Sequence, residues 1–174
     1  MEKKFELTDK FVFNTFGIKL FQIKCTKSFK YAKEGDLGGY VEKDENLDQE
    51  SDAWVSGDAW VSGDARVSGN AQVYGDAQVY GDAWVSGDAW VSGNADIEND
   101  NNHCGFDCFG SCNRHTHAYL TKDNKVEITC GCFRGSIEEF EKEVEKTHSG
   151  TIYEKQYKAI INVIKIKFGL TDLI

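Results

Sequence analysis

The chain has 174 residues, enough for one globular unit or a capped solenoid, and 40% of them are apolar, so a buried core is available. Its formal net charge of −9 excludes binding to nucleic acid through a basic footprint, and leaves solubility, metal ions or basic protein surfaces as what the charge serves. No apolar run approaches the roughly 20 residues that span a bilayer, and Met1-Glu2-Lys3-Lys4-Phe5-Glu6 lacks the apolar stretch of a secretory signal, so a cytoplasmic protein is expected whose six cysteines are reduced thiols or metal ligands.

Residues 1–47 read as an N-terminal β cap with an irregular first coil. Phe11-Val12-Phe13 and Ile18-Lys19-Leu20-Phe21-Gln22-Ile23 form strands around Asn14–Gly17 and are placed to cover an open coil. Gly35-Asp36-Leu37-Gly38-Gly39-Tyr40-Val41-Glu42 leads to Leu47, six residues after Val41.

Residues 48–100 are dominated by a repeat. From Asp52 the chain reads DAWVSG, DAWVSG, DARVSG, NAQVYG, DAQVYG, DAWVSG, DAWVSG, NADIEN without a gap. Ala and Val are two apart in each unit and share one face of a short strand, and the residue between them points outward. Gly followed by Asp or Asn is turn chemistry. A period of six fits neither a helix nor a heptad, and one unit is too short to bury its own Ala and Val, so the units must stack as coils.

These hexapeptides resemble the left-handed hexapeptide-repeat β-helix family, whose coil is a triangle of three units. The resemblance implies a coil of about 18 residues. The outward positions then stack in three columns: Trp54, Gln72 and Trp90; Trp60 and Gln78; Arg66 and Trp84. All four tryptophans are thus expected on outer faces.

Residues 101–174 read as a small α+β domain. His117–Thr121 and Lys125–Cys130 alternate as a hairpin. Ser136-Ile137-Glu138-Glu139 is a capping box ahead of the stripe Ile137, Phe140 and Val144. Thr151-Ile152-Tyr153-Glu154 reads as a second box ahead of Tyr157, Ile160, Ile161, Ile164 and Phe168. The expected fold is therefore mainly β: a short left-handed parallel β-helix with an N-terminal β cap and a C-terminal ββαα domain. GDLGGYVEKDENL, the hexapeptides and GCFRGSIEEFEKEVEKTH together resemble a phage and prophage group of hexapeptide-repeat proteins, often described as polymer-forming. That resemblance implies a mobile-element origin, in an infected or lysogenic bacterium, and no particular reaction.

Between Asp48 and Asp100 eleven acidic residues face Arg66 alone, so the β-helix carries the whole acidic excess. Three readings stand: turn residues that also confer solubility, an acidic rod that imitates nucleic acid in a partner's basic groove, or calcium binding between stacked aspartates. Trp54, Trp60, Trp84 and Trp90 are either covered by the chain itself or form a protein interface with Asp58, Asp76, Asp82 and Asp88. Cys104, Cys108, Cys112, Cys130 and Cys132 supply enough soft ligands for zinc, with His103, His115 and His117 among them, but not at zinc-finger spacing. Free thiols packed in a small domain, or a redox site, are the alternatives. Cys132 and His148 would stand about 18 Å apart along one helix and meet as nucleophile and base only if Gly131–Ser136 folds back. The acyltransferases and carbonic anhydrases of this fold use histidines on or beside the coils, and here all four histidines follow residue 102.

The leading expectation is a non-enzymatic, phage-type protein whose acidic, Trp-bearing faces contact a protein partner, such as a host nucleic-acid-handling or CRISPR-type defence complex. Direct nucleic-acid or membrane binding is not expected. A self-assembling β-helix, forming a homo-oligomer, is the second class. A small-ligand binder or enzyme using the C-terminal Cys and His residues with Arg134 is the third.

Overall fold

The computed structural model describes residues 3–170; Met1, Glu2 and residues 171–174 lie outside them, so the first two residues of the N-terminal reading and the last four of the C-terminal domain are not placed. The chain divides into two compact units, residues 1–100 and 101–174. No described helix is long and apolar enough to cross a membrane.

The first unit opens with the hairpin β1 (Phe5–Phe13) and β2 (Lys19–Cys25). Its turn is held by the Asn14 side-chain oxygen, which accepts from the backbone N–H groups of Phe16 (3.0 Å) and Ile18 (2.9 Å). β2 pairs with β3 (Leu37–Val41), which enters the first coil and lies parallel to β5. Gly38 and Gly39 are required here, since a Cβ on Gly39 would lie 2.5 Å from the Ala59 carbonyl oxygen.

Eight two-residue strands follow: β4 (Trp54–Val55), β5 (Trp60–Val61), β6 (Arg66–Val67), β7 (Gln72–Val73), β8 (Gln78–Val79), β9 (Trp84–Val85), β10 (Trp90–Val91) and β11 (Asp96–Ile97). They are short because each six-residue unit spends its remaining residues on a corner. The corner glycines from Gly57 to Gly93 adopt left-handed φ values that L side chains rarely take, and at Gly69 the stacking is also close, since a Cβ there would stand 2.9 Å from the Gly87 nitrogen.

The register is parallel and joins residues 18 apart: Trp54 and Trp90 flank Gln72, Trp60 pairs with Gln78, and Arg66 pairs with Trp84. The three columns expected from the repeat are therefore present, and the fold is a parallel β-helix. Strand N–H groups donate to the next coil, as Trp54 does to the Ala71 carbonyl at 3.0 Å and Ser56 to Val73 at 2.9 Å. Inside, the repeat alanines and valines are at most 3% exposed, so each coil buries an apolar face that one hexapeptide could not bury alone.

The first coil is closed by Lys4. Its side chain is buried, and its ammonium donates to the backbone carbonyls of Asp48 (2.6 Å), Ser51 (2.7 Å) and Ala53 (2.8 Å). Burial pulls its pKa down to about 8, while the carboxylates of Asp48 and Asp52 act in the opposite direction. Gln49 completes the closure by accepting from the backbone N–H groups of Lys4 and Phe5.

The second unit is a four-stranded antiparallel sheet with two helices on one face. The strands are β12 (His103–Phe109), β13 (Arg114–Leu120), β14 (Val126–Cys130) and β15 (Phe133–Ser136), in that order. The expected hairpin is β13–β14, and the structure adds β12 and β15 at its edges. β12, HCGFDCF, is poor in β-branched residues, and β15 runs straight into the helix cap, which hid both from the pattern. α1 (Ile137–His148) starts from a full capping box: Ser136 Oγ accepts from Glu139 N at 3.2 Å, and the Glu139 carboxylate accepts from Ser136 N at 2.8 Å. α2 (Ile152–Lys167) has half of one, because the Glu154 carboxylate turns to Gly150 N at 2.7 Å. Ile137, Phe140 and Val144 pack with Tyr157, Ile160, Ile161 and Ile164 against Ala118, Ile128 and Cys130 of the sheet.

Candidate functional site

The corner aspartates are built outward. Asp58, Asp76, Asp82 and Asp88 are all exposed. The stacking register sets Asp58 beside Asp76, Asp64 beside Asp82, and Asn70 between Asp52 and Asp88. Asn70 interrupts what would be three stacked carboxylates, and its Nδ2 donates to Asp88 Oδ1 at 2.9 Å. Asn70 thus relieves repulsion within its own column of the ladder.

The four tryptophans occupy the outward positions expected of them but divide into pairs: the chain itself covers two, which removes Trp54 and Trp60 from the expected partner-binding set, and leaves two exposed. Trp54 is 5% exposed and Trp60 is 8% exposed. Phe29 meets Trp54 edge-on at 5.4 Å, and Phe16 meets Trp60 at 6.4 Å, with Leu20, Tyr40 and Tyr80 completing the cover. The N-terminal hairpin and the loop after it bury these indoles because they remove a large apolar area from water. Trp54 and Trp60 are therefore core residues of the cap. Trp84 is 59% exposed and Trp90 is 39% exposed.

Trp84 is held in place. Its indole N–H donates to Ser68 Oγ at 3.2 Å, and its backbone N–H donates to Asp100 Oδ1 at 2.8 Å. It borders a groove of about 430 Å³ that also holds the exposed Arg66, with Asp44, Glu45, Asp48 and Glu50 along it. The surface thus combines a fixed aromatic anchor with a field of carboxylates.

The zinc expectation for Cys104, Cys108, Cys112, Cys130 and Cys132 is not met: among the described residues no three His, Cys, Asp or Glu side chains converge as a metal would require. Strand geometry separates them. Cys104 packs against the helix-side core, where burial pushes its thiol up to about 11. Cys130 is buried beside Thr116 Oγ1 (3.3 Å) and the Tyr157 hydroxyl (3.7 Å). Cys108, Cys112 and Cys132 are exposed. In the native protein Cys108, Cys112 and Cys132 are expected to react rapidly with a thiol reagent, while Cys25 and Cys130 react only on unfolding and Cys104 lags. Prior treatment with a chelator should leave this pattern unchanged; a chelator that exposes further thiols would restore the metal reading.

Cys132 lies just before β15, and His148 ends α1. The chain reverses at Gly131, and β15 runs antiparallel to β14. Both residues line a cleft of about 320 Å³ with Arg114, Phe133, Phe140 and Tyr157. The His148 ring stacks on Tyr157 at 5.5 Å. Arg134, in contrast, is tied to Glu127 at 2.7 and 3.2 Å, and Glu127 also accepts from the Tyr119 hydroxyl at 2.6 Å.

Sequence reasoning missed one polar cluster on β12 and β13. His103 Nδ1 lies 3.0 Å from His117 Nε2, and Asp107 pairs with His115. The signal was the period-2 run His115, His117 and Tyr119, which sets all three on one face.

A family model described as the YdcK beta solenoid repeat matches residues 59–75 and 77–93. The two matches start 18 residues apart, so each covers one coil of the register described above. No curated protein matches the chain.

Proposed function

We propose that the β-helix is a protein-binding element whose partner presents a basic surface, of the kind that ordinarily grips nucleic acid. The observation that carries this reading is the coincidence of two exposed indoles, Trp84 and Trp90, with a ladder of exposed carboxylates on a unit whose other two indoles are covered by the chain itself. Large aromatic side chains ringed by charge have the composition of an interface hot spot with electrostatic steering. The same carboxylates repel phosphates, so the chain acts on nucleic-acid-handling machinery by occupying its protein component.

The test separates the two contributions. Replacing Asp58, Asp76 and Asp82 with Asn should slow association several-fold and flatten its salt dependence, because long-range attraction acts on the encounter. Replacing Trp84 and Trp90 with Ala should leave association nearly unchanged and speed dissociation by about tenfold or more, because packed aromatics act after docking. Isolated protein should not bind DNA or RNA at physiological salt. Tight DNA binding, or a salt-dependent complex indifferent to the aspartate changes, would overturn the reading.

A second reading is favoured by the cleft that brings Cys132, His148 and Arg114 together: a small-ligand site in the C-terminal unit, with an aromatic floor and polar groups along it.

A further inference from the structure

The cleft of the C-terminal unit has a wall and a charge that together restrict what fits it. The wall is a run of four rings. Phe133 meets Phe140 at 5.0 Å, Phe140 meets Tyr157 edge-on at 5.5 Å, and His148 stacks on Tyr157 at 5.5 Å. Phe140 and Tyr157 are buried members of the helix and sheet core, so the fold itself sets this wall. Fixed aromatic side chains lining a concavity favour a flat ligand that lies against them.

Arg114 supplies the charge. It opens β13, and its side chain crosses Gly131, where a Cβ would lie 2.8 Å from Arg114 Cδ and Nη1. The missing side chain at Gly131 therefore gives the guanidinium its seat. Among the described residues no carboxylate is ion-paired with Arg114. The one carboxylate among the described residues lining the cleft, that of Glu143, accepts from Thr147 Oγ1 at 3.0 Å and from Lys146 Nζ at 3.3 Å. Tyr157 stays a neutral phenol, since burial pushes its pKa up against the opposing pull of the Arg114 charge. In a chain of net charge −9, this cleft sets a cation without a counter-charge beside an aromatic wall.

A guanidinium presents a fork of donors that matches a carboxylate or a phosphate. We propose that the cleft binds a small aromatic anion, with its ring against the aromatic wall and its carboxylate or phosphate on Arg114. This rests on the small-ligand reading of the C-terminal unit and names the class of ligand. The volume of about 320 Å³ is at the small end for ligand sites, which suits a single ring system.

Alkylation of Cys132 by iodoacetamide in the native full chain, followed by peptide mass spectrometry, reads occupancy, because Cys132 lines the cleft and is exposed. Cys108, exposed and not among the lining residues, is the internal standard. Indole-3-acetate and AMP stand for the carboxylate and phosphate forms, and indole-3-acetamide and adenosine are their uncharged counterparts. At least one anion should slow alkylation of Cys132 with Cys108 unchanged, and the one that does identifies the anionic group. Its uncharged counterpart should bind about tenfold more weakly or worse. Arg114→Gln should weaken the anion by about tenfold or more, with unchanged melting because the side chain is exposed. Glu143→Gln should tighten it several-fold by removing the carboxylate at the cleft, a gain that mere disturbance of the fold does not produce. Equal protection by the uncharged counterparts, or protection undiminished in Arg114→Gln, would sink the anion inference and leave the small-ligand reading standing. Inorganic phosphate that protects as well as AMP would remove the aromatic wall from recognition and overturn the inference in that respect. No protection by any of these compounds up to millimolar concentration would dismiss both the inference and the small-ligand reading.

Discussion

Val73→Asp is expected to abolish cooperative melting of the β-helix, whereas Gln72→Asp should move the midpoint only slightly. Val73 is fully buried and stacks in register between Val55 and Val91, one coil on either side. A carboxylate there has only aliphatic neighbours within its column, and neither a counter-charge nor water to hold its charge. Burying it costs more than about 4 kcal/mol, comparable with much of the stability of a small domain. Gln72 is next in sequence but points the other way, half-buried between Trp54 and Trp90 on the outer face. Thermal melting followed by circular dichroism reads the difference. Equal losses in the two variants would contradict the inward and outward assignment.

The second large effect is expected at Lys4. Lys4→Met keeps most of the side-chain volume and removes the ammonium, leaving the carbonyls of Asp48, Ser51 and Ala53 without their donor at the closed end of the first coil. Unsatisfied buried acceptors cost about 1–3 kcal/mol each when nothing relaxes, so a total loss of about 3 kcal/mol is expected after partial rearrangement. Lys3→Met is the control. Lys3 pairs with Asp44 at the exposed surface, where ion pairs contribute little, so its melting should match the wild type. Chemical denaturation of the two variants distinguishes them, and a Lys4→Met protein as stable as Lys3→Met would remove Lys4 from the closure of the coil.

The coils were legible because a period of six repeats the same two inward positions eight times, and stacking is the one way to bury them. That N-terminal strands cover the coils was legible too, but which side chains close over the indoles was not. Phe16 and Phe29 sit in segments without periodicity, so nothing in the pattern paired them with Trp60 and Trp54. Lys4 looks like any terminal lysine until its three acceptors are brought around it by residues 48–53. In the C-terminal unit the cysteine spacing invited a metal reading. Strand alternation and the turn at Gly131 decide instead, sending Cys130 into the core and leaving Cys132 exposed. The helix stripes were readable because amphipathic period and capping chemistry agree there.

The 18-residue register bears on how the protein can change length over generations. Its DAWVSG units are identical copies, and tandem copies of that kind invite unequal recombination in steps of one unit. Loss of three units, such as residues 64–81, would return Trp84 to the column it now shares with Arg66. Loss of one unit, residues 64–69, would move Trp84 into the column of Trp60, where Gln78 now stands. Every coil would still close, because any hexapeptide can occupy any side, yet each outward residue beyond the deletion would change face. Selection for the Trp84 surface would therefore favour copy-number changes in multiples of three, while selection for folding alone would tolerate them all.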